Sequence, residues 1–266
     1  MDGQEKALPL PAPATPAWRP PLVIRLGRGR VGGTTILDLF VQWARAAGRV
    51  VLIADGDLRN STLAGLYPPG TDGGALRPPS DELLDMKDFF TGSVATAIER
   101  GASLVVDFGG GDRVMQDYGR ELAIVEMCEG VGMVPLAVYV TGPEADDFEH
   151  VLSIWRSGVF RPKRSLLVLN EHLVPHGRSP AGAFDAIIAR PEFEEMIAGG
   201  LTTIVMPRLP CMTHVREAGL GFLDAMAGKP GKKGEPLDPV RQFMVAHWLK
   251  RLDAAFSEAG VLEWLP

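Results

Sequence analysis

The chain has 266 residues, of which 46% are hydrophobic and 23% are charged, so it is long enough to form one well-packed α/β domain. Its formal net charge of −6 argues against a protein whose whole surface binds nucleic acid, although a local basic patch stays open. Two cysteines cannot build a disulfide framework, and no apolar run reaches the ~18 residues of a membrane span, so we expect a cytoplasmic protein.

Residues 1–21 are rich in proline and alanine, which predicts a disordered arm without the features of a signal peptide. Beyond this arm, short and nearly continuous apolar runs alternate with amphipathic stretches of helical period. The predicted strands are LVIRLG (22–27), RVVLIAD (49–55), SLVVDFG (103–109), VPLAVYVTG (134–142), SLLVLNE (165–171) and TTIVMPR (202–208). Such runs are typical of a mostly parallel sheet with helices on both faces. We therefore predict a single three-layer α/β domain over residues 22–266.

The loop between the first predicted strand and the first helix reads GRGRVGGTT (27–35) and fits two phosphate-binding patterns imperfectly. In the first, Gly27, Gly29 and Gly32 satisfy G-x-G-x-x-G, the pattern of dinucleotide-binding folds. Asp55 then ends the next strand about where a ribose-binding carboxylate is expected. This interpretation predicts a Rossmann-type, NAD(P)-binding oxidoreductase.

The second pattern is the P-loop, G-x-x-x-x-G-K-[ST]. Gly27, Gly32 and Thr34 match it, whereas Gly33 stands at the lysine position. The backbone N–H groups of such a loop, together with the N-terminus of the next helix, bind phosphate, and the threonine hydroxyl binds Mg²⁺. The cation that reaches the terminal phosphates is therefore missing from this loop.

The loop resembles that of the ParA/MinD group of deviant Walker A ATPases, which carry GKGGVGKTT at this place. Six of the nine positions match: Gly27, Gly29, Val31, Gly32, Thr34 and Thr35. Further motifs of the family follow in the same order: an aspartate pair after the second strand, a Walker B aspartate, a strand-end asparagine near the base, and a Pro-Arg pair after the last strand. Their counterparts here are Asp55 with Asp57, Asp107, Asn170, and Pro207 with Arg208. The resemblance covers roughly residues 22–225.

The resemblance implies a P-loop NTPase-like fold that binds ATP or ADP with Mg²⁺. The implied nucleotide-binding residues are Gly27, Arg28, Gly29, Arg30, Val31, Gly32, Gly33, Thr34, Thr35, Asn170, Pro207 and Arg208. Asp57 matches the catalytic carboxylate that orients water. The implied Mg²⁺ ligands are Thr34 directly, and Asp57 and Asp107 through water.

Both lysines of the family are absent. Gly33 replaces the Walker lysine, and Arg28 replaces the signature lysine that in the family reaches the partner's nucleotide across a dimer. Arginine does not simply replace lysine, because its planar fork differs from a compact ammonium group. Whether Arg28, Arg30 or Arg59 compensates is left open. The sequence thus suits a switch with weak or absent hydrolysis, and equally a relic whose acids serve only structure.

By resemblance, we expect a ParA/MinD-like nucleotide switch in plasmid or chromosome partitioning, in division positioning or in conjugative transfer. A homodimer or another protein is the implied partner. The basic clusters 161–164 and 229–233 leave contact with DNA of any sequence open. A scaffold of the same fold that needs no nucleotide and the Rossmann oxidoreductase remain as alternatives, and the retained threonines and Asp107 favour the P-loop. A zinc site built from His172, His176, Cys211 and His214 is disfavoured because Pro175 breaks the helical spacing of the first pair.

Overall fold

The computed structural model describes residues 18–108 and 113–266. They contain a six-stranded sheet with the strand order β2-β3-β1-β4-β5-β6. All neighbouring strands pair in parallel. The strands are β1 (Pro21–Leu26), β2 (Val51–Asp55), β3 (Ser103–Asp107), β4 (Val134–Thr141), β5 (Arg164–Asn170) and β6 (Leu201–Met206).

Helices cover both faces of this sheet. One layer packs on the core that contains Val23 of β1, and it consists of α1 (Gly33–Ala46), α2 (Thr62–Leu66), α9 (Met212–Ala218), α10 (Phe222–Met226) and α11 (Pro239–Glu258). The other layer packs on the core that contains Leu22, and it consists of α3 (Leu83–Glu99), α4 (Arg113–Leu122), α5 (Ile124–Gly130), α6 (Ala145–Ser157), α7 (Asp185–Ile188) and α8 (Pro191–Ala198). The predicted three-layer architecture is confirmed.

The strand sequences explain this burial on both faces. Successive side chains of a strand point to opposite faces, so a strand between two helical layers must be apolar throughout. In β1, Leu22, Ile24 and Leu26 enter one core and Val23 enters the other. Arg25 is the exception: it lies on the α1 side of the strand, as Val23 does, and only 4% of it is exposed.

The strand order corrects one alternative. In the dinucleotide-binding Rossmann order 3-2-1-4-5-6, the second strand lies next to the first. Here β3 separates β1 from β2, so Asp55 at the end of β2 is one strand further from the glycine-rich loop. The interpretation of the loop as part of a Rossmann fold is therefore wrong.

The same order places a crevice beside β1. The chain passes from β1 to β2 and β3 on one side of β1 and then crosses to β4 on its other side. Ligands of open α/β sheets bind outside the carboxyl ends of the strands at such a point. The loop that follows β1 lies at this crevice.

Only the last residues of the predicted N-terminal arm are described. β1 begins at Pro21, the last residue of the predicted arm, while residues 1–17 of that arm lie outside the described residues. The arm and the single-domain boundary at residue 22 stay predictions. Among the helices of the described part, none has the length and hydropathy that crossing a membrane requires.

Candidate functional site

The glycine-rich loop joins β1 to α1 in a conformation that needs glycine at two places. Gly27 has a φ of 129° and Gly32 a φ of 91°, and Arg30 also has a positive φ of 67°. The Gly32 carbonyl accepts hydrogen bonds from the N–H groups of Thr35 (3.1 Å) and Ile36 (3.3 Å), which closes the first turn of α1. The N–H groups at the start of a helix have no acceptor within it, so this end of α1 offers donors to an anion.

Arg25 lies beneath this loop and holds it. Its Nη1 donates to the carbonyl oxygens of Gly27 (2.8 Å) and Arg28 (3.3 Å). Its Nη2 lies 3.2 Å from Oδ1 of Asp107, and the exposed fractions of the two side chains are only 4% and 3%. A buried, hydrogen-bonded ion pair thus ties the loop after β1 to the end of β3.

The stem of Arg25 passes against Gly33, the residue at the lysine position. A Cβ atom on Gly33 would lie 2.3 Å from Nε and 2.5 Å from Cδ of Arg25. Real Cβ atoms do not come this close, so any side chain at position 33 displaces Arg25. The glycine that replaces the Walker lysine therefore makes room for the arginine two residues before the loop.

Asp107 and Thr34 meet at the same point. The Thr34 hydroxyl donates to Oδ2 of Asp107 at 2.7 Å, and Oδ1 faces Arg25. Both residues are candidate Mg²⁺ ligands from the sequence, and the structure brings them together. Both oxygens of the Asp107 carboxylate are engaged by protein groups.

Asn170 supports the loop from the end of β5. Its Nδ2 donates to the Val31 carbonyl at 2.8 Å, and its Oδ1 accepts from the His172 N–H at 3.0 Å. Only 1% of the residue is exposed. The candidate base-binding amide is thus committed to the loop backbone and to its own turn.

Replacing Gly32 with alanine is expected to distort the loop. A Cβ there would lie 2.3 Å from Nδ2 of Asn170, so the amide must give up its bond to Val31. Gly48 also has a positive φ (71°), but a Cβ added there would meet no atom of the described residues within 4 Å. Gly48→Ala therefore isolates the backbone strain, which is about 1–2 kcal/mol. We expect Gly32→Ala to lower the free energy of unfolding by about 1–3 kcal/mol more than this control. Equal losses in urea unfolding would contradict the contact with Asn170.

The aspartate pair after β2 serves its own turn. Asp55 is buried, and its Oδ1 accepts from the Asp57 N–H, while its Oδ2 accepts from the Ala64 N–H and pairs with Arg77. Oδ1 of Asp57 accepts from the N–H groups of residues 59 and 60 at 3.1 and 2.8 Å. The Gly56 N–H donates to the Asp107 carbonyl at 2.8 Å, which joins this turn to the end of β3. The catalytic role of Asp57 stays a prediction.

Asp55 should make stability depend on pH. Burial raises its pKa, and the bonds from Ala64 and Arg77 only partly oppose this. A raised pKa means that the folded protein binds more protons than the unfolded chain just above an acid's ordinary pKa of about 3.9. The contribution of Asp55 to the free energy of unfolding therefore falls as the pH rises through that window.

Asp55→Asn isolates this effect. The asparagine loses one acceptor, which shifts stability by the same amount at every pH. The difference in unfolding free energy, wild type minus variant, should decrease as the pH rises from about 4 to about 7. A difference that increases with pH would mean that the ion pair with Arg77 outweighs burial.

The candidate arginines of the loop differ in their surroundings. Nη1 of Arg28 lies 3.2 Å from Oδ1 of Asp147 in the first turn of α6, and the Arg28 side chain is 48% exposed. Arg28, Arg30 and Asp147 line a small cavity of about 290 Å³ that borders the loop. Arg59 points elsewhere, since its Nη2 lies 3.6 Å from Asp81 in an exposed pair.

Pro207 and Arg208 directly follow β6, which is the neighbour of β5 in the sheet. The Pro207 carbonyl accepts from Nε1 of Trp248 at 2.7 Å. Arg208 donates from Nη2 to the Val174 carbonyl and from its N–H to Oε2 of Glu171. Both residues are bonded to neighbouring segments, and their contact with nucleotide stays a prediction.

The remaining candidates from the sequence are a metal site and two basic clusters. In residues 18–108 and 113–266, no cluster of three or more His, Cys, Asp and Glu side chains is placed to hold a metal ion. The basic cluster 161–164 precedes β5, so it lies at the amino ends of the strands, whereas the loop lies at their carboxyl ends. Arg161 stacks there on Trp155. In the cluster 229–233, Lys229 pairs with Asp224 at 2.7 Å.

A larger cavity of about 600 Å³ lies between α1, α2 and α10. Its polar centre is the buried Asp38, which accepts from Tyr67, Gln42 and Arg216. The residues of α1 that line it come from beyond the first turn of that helix, so this cavity is separate from the loop.

Sequence reasoning missed Arg25 although a signal was present. An arginine inside the apolar run LVIRL contradicts the pattern of a strand buried on both faces. Charged residues are almost never fully buried unless they are paired. A charge in the strand directly before a phosphate-type loop is therefore a reason to look for a buried acid near that loop.

No protein-family model matches the chain, and no curated protein matches it. Among solved structures, FtsY from Mycoplasma mycoides matches with a TM-score of 0.50 and 13% identity, over 87% of this chain and 68% of that one. MinD from Aquifex aeolicus matches with 0.48 and 14%, over 86% and 97%. Chloroplast FtsY from Physcomitrella patens matches with 0.47 and 14%, over 71% of this chain; only 58% of that protein is spanned.

At these identities the likeness concerns the fold alone. The match to the Mycoplasma FtsY extends over most of this chain, and it agrees with a parallel sheet that helices cover on both faces. The prediction of a P-loop NTPase-like α/β fold is confirmed.

Proposed function

We propose that this chain is a nucleotide-binding switch of the ParA/MinD kind, with weak or absent ATP hydrolysis. One observation carries the proposal: the loop after β1 lies at the switch point of the sheet, and its threonine, Thr34, is bonded to the strand-end Asp107 of β3. The fold forms the crevice, and the hydrogen bond between these two residues connects the loop end of α1 to the end of β3.

The loop is suited to bind phosphate through its backbone. Gly27 and Gly32 take positive φ angles without strain, and the N-terminus of α1 adds N–H donors and the positive end of the helix dipole. Arg28 and Arg30 border the adjoining cavity, and a guanidinium group binds phosphate through two parallel hydrogen bonds. A phosphate chain at this edge would therefore meet donors from both the backbone and side chains.

Hydrolysis is proposed to be weak because the groups that promote it are missing or engaged. Phosphoryl transfer depends on positioning and on neutralising charge at the terminal phosphate. Position 33 has no side chain, and the Asp57 carboxylate already accepts two N–H groups of its own turn. Binding without rapid turnover suits a switch or a regulatory subunit.

The setting of this switch is also part of the proposal. ATP or ADP is the proposed ligand, and a homodimer, another protein or DNA is the proposed partner, in the cytoplasm. Plasmid or chromosome partitioning, division positioning and conjugative transfer are the proposed processes. Contact with DNA through the 161–164 cluster would weaken steeply with salt.

Calorimetric titration of the purified protein with ATP, ADP and NAD⁺ tests the proposal. We expect ATP and ADP to bind and NAD⁺ not to bind, with at least about a tenfold loss of ATP affinity in Gly32→Ala, or about 1.4 kcal/mol. Gly48→Ala should retain wild-type affinity, since it shares only the positive φ. ATP binding that is unchanged in a folded Gly32→Ala variant would place the ligand outside the loop.

A nucleotide-independent scaffold is the second candidate, and the Arg25–Asp107 ion pair favours it. This pair holds the loop and the end of β3 together from within the protein. A scaffold predicts no binding of any nucleotide up to millimolar concentration and no shift of the unfolding midpoint on adding ATP. Either nucleotide binding at the loop or a clear stabilisation by ATP would exclude it.

A further inference from the structure

We infer that Arg25 takes the place of the divalent cation at this site, so that the loop binds nucleotide phosphates without Mg²⁺. This inference rests on the proposed nucleotide-binding function. It concerns which positive charge the site uses, whereas the proposed function concerns whether the site binds nucleotide at all.

The positive charge of Arg25 has a fixed position beside the loop. The Arg25 guanidinium is fixed by an ion pair to Asp107 Oδ1 at 3.2 Å and by bonds to the carbonyl oxygens of Gly27 and Arg28. The residue comes from the middle of the sheet, and only 4% of it is exposed. The charge is therefore part of the folded protein, present whether or not a ligand is bound.

The two carboxylates predicted to hold Mg²⁺ through water already have protein partners. Mg²⁺ requires a near-ideal octahedron of oxygen atoms, and carboxylates and hydroxyls must turn towards it. The Asp107 carboxylate receives Arg25 on one oxygen and the Thr34 hydroxyl on the other. Asp57 accepts two backbone N–H groups. Both oxygens of Asp107 and Oδ1 of Asp57 are therefore already occupied by protein donors.

A fixed guanidinium group beside Asp107 neutralises the carboxylate that would attract the metal ion, and it repels a divalent cation placed next to it. Both groups are buried, so solvent and salt screen this repulsion little. Phosphate, in contrast, is attracted by the exposed arginines 28 and 30 and by the N–H groups at the start of α1.

Arg25 occupies the space that a side chain at position 33 would need. A lysine at position 33 cannot coexist with Arg25 in this conformation, because its Cβ would overlap the arginine stem. Position 33 can therefore carry no side chain while Arg25 keeps its present conformation. One buried cation serves the loop where the usual pattern uses a lysine and a metal ion.

Calorimetric titration with ATP, in excess Mg²⁺ and in excess EDTA, tests the inference on wild type, Arg25→Gln and Arg216→Gln. Arg216→Gln is the matched control because Arg216 pairs with the buried Asp38 at 2.7 Å, away from the loop. We expect the wild type and the control to bind ATP within about threefold under both conditions, a difference below about 1 kcal/mol. Arg25→Gln removes the cation beside Asp107 and should bind at least about tenfold more tightly with Mg²⁺ than with EDTA.

Mn²⁺ provides a second readout, independent of affinity for ATP. The paramagnetic resonance spectrum of Mn²⁺ without nucleotide should show no protein-bound ion in the wild type and a bound ion in Arg25→Gln. If Arg25→Gln fails to fold, Arg25→Lys is measured in its place. It keeps a cation and should therefore behave as the wild type.

The outcomes separate the two claims. Wild-type binding that requires Mg²⁺ would overturn the role of Arg25 and leave the proposed function intact. A folded Arg25→Gln that binds ATP equally well with Mg²⁺ and EDTA would also overturn it. No binding under either condition would overturn the proposed function, and the inference with it.

Discussion

Replacing Arg25 with methionine is expected to lower the free energy of unfolding by about 3–5 kcal/mol. The substitution keeps most of the stem but leaves the Asp107 carboxylate buried without this cation, and it removes both bonds to the loop carbonyls. Breaking one side of a buried pair costs more than the pair itself contributes, because the remaining charge loses its counterion. Urea unfolding monitored by circular dichroism measures the loss.

A double-mutant cycle shows whether the loss arises from Asp107. Asp107→Asn removes the charge and keeps an acceptor for the Thr34 hydroxyl. If the pair is as described, Arg25→Met combined with Asp107→Asn should cost at least about 1 kcal/mol less than the sum of the single losses. Additive losses would mean that Arg25 stabilises the loop independently of Asp107.

Adding a side chain at position 33 is expected to give the second large effect. Gly33→Ala pushes a Cβ into the Arg25 stem, and the guanidinium group cannot move aside without giving up Asp107 and the loop carbonyls. Overpacking of this kind costs about 1–3 kcal/mol. Gly33→Lys, which restores the lysine of the P-loop pattern, should destabilise the protein for the same reason and should not restore hydrolysis.

The control is the Gly33→Ala substitution in a variant that lacks the Arg25 side chain. In an Arg25→Ala background, Gly33→Ala has space and replaces glycine by a better helix former at the start of α1. It should then be neutral or stabilising, with a coupling of at least about 1 kcal/mol between the two positions. A loss that is the same in both backgrounds would contradict the contact between Gly33 and Arg25.

The fold was predictable because local pattern and global architecture agree. Six apolar runs between amphipathic helices predict a parallel sheet with two covered faces, and the structure has those six strands. The glycine pattern of residues 27–32 placed the loop correctly between β1 and α1. What the periodicity left open was strand order, and this order is what excludes the Rossmann alternative.

The sequence predicted at which strand ends the candidate residues lie, but not how their side chains pair. Thr34 and Asp107 are 73 residues apart and meet because α1 follows β1, which is the neighbour of β3 in the sheet. Motif order predicts such proximity, whereas the rotamer of Arg25 follows from packing against Gly33. Asn170 shows the same limit, since a strand-end amide can face a ligand or a loop carbonyl, and here it bonds to Val31.

A titration of ¹⁵N-labelled protein with ATP, followed by the backbone amide resonances, tests directly whether the loop binds nucleotide phosphates. We expect the largest chemical-shift changes on the amides of residues 28–35, which form the loop and the first turn of α1. Residues around the larger cavity, such as Gln42 and Gly221, should be unaffected. Changes centred on that cavity, or no changes at millimolar ATP, would contradict the assignment of the loop as a nucleotide-phosphate site.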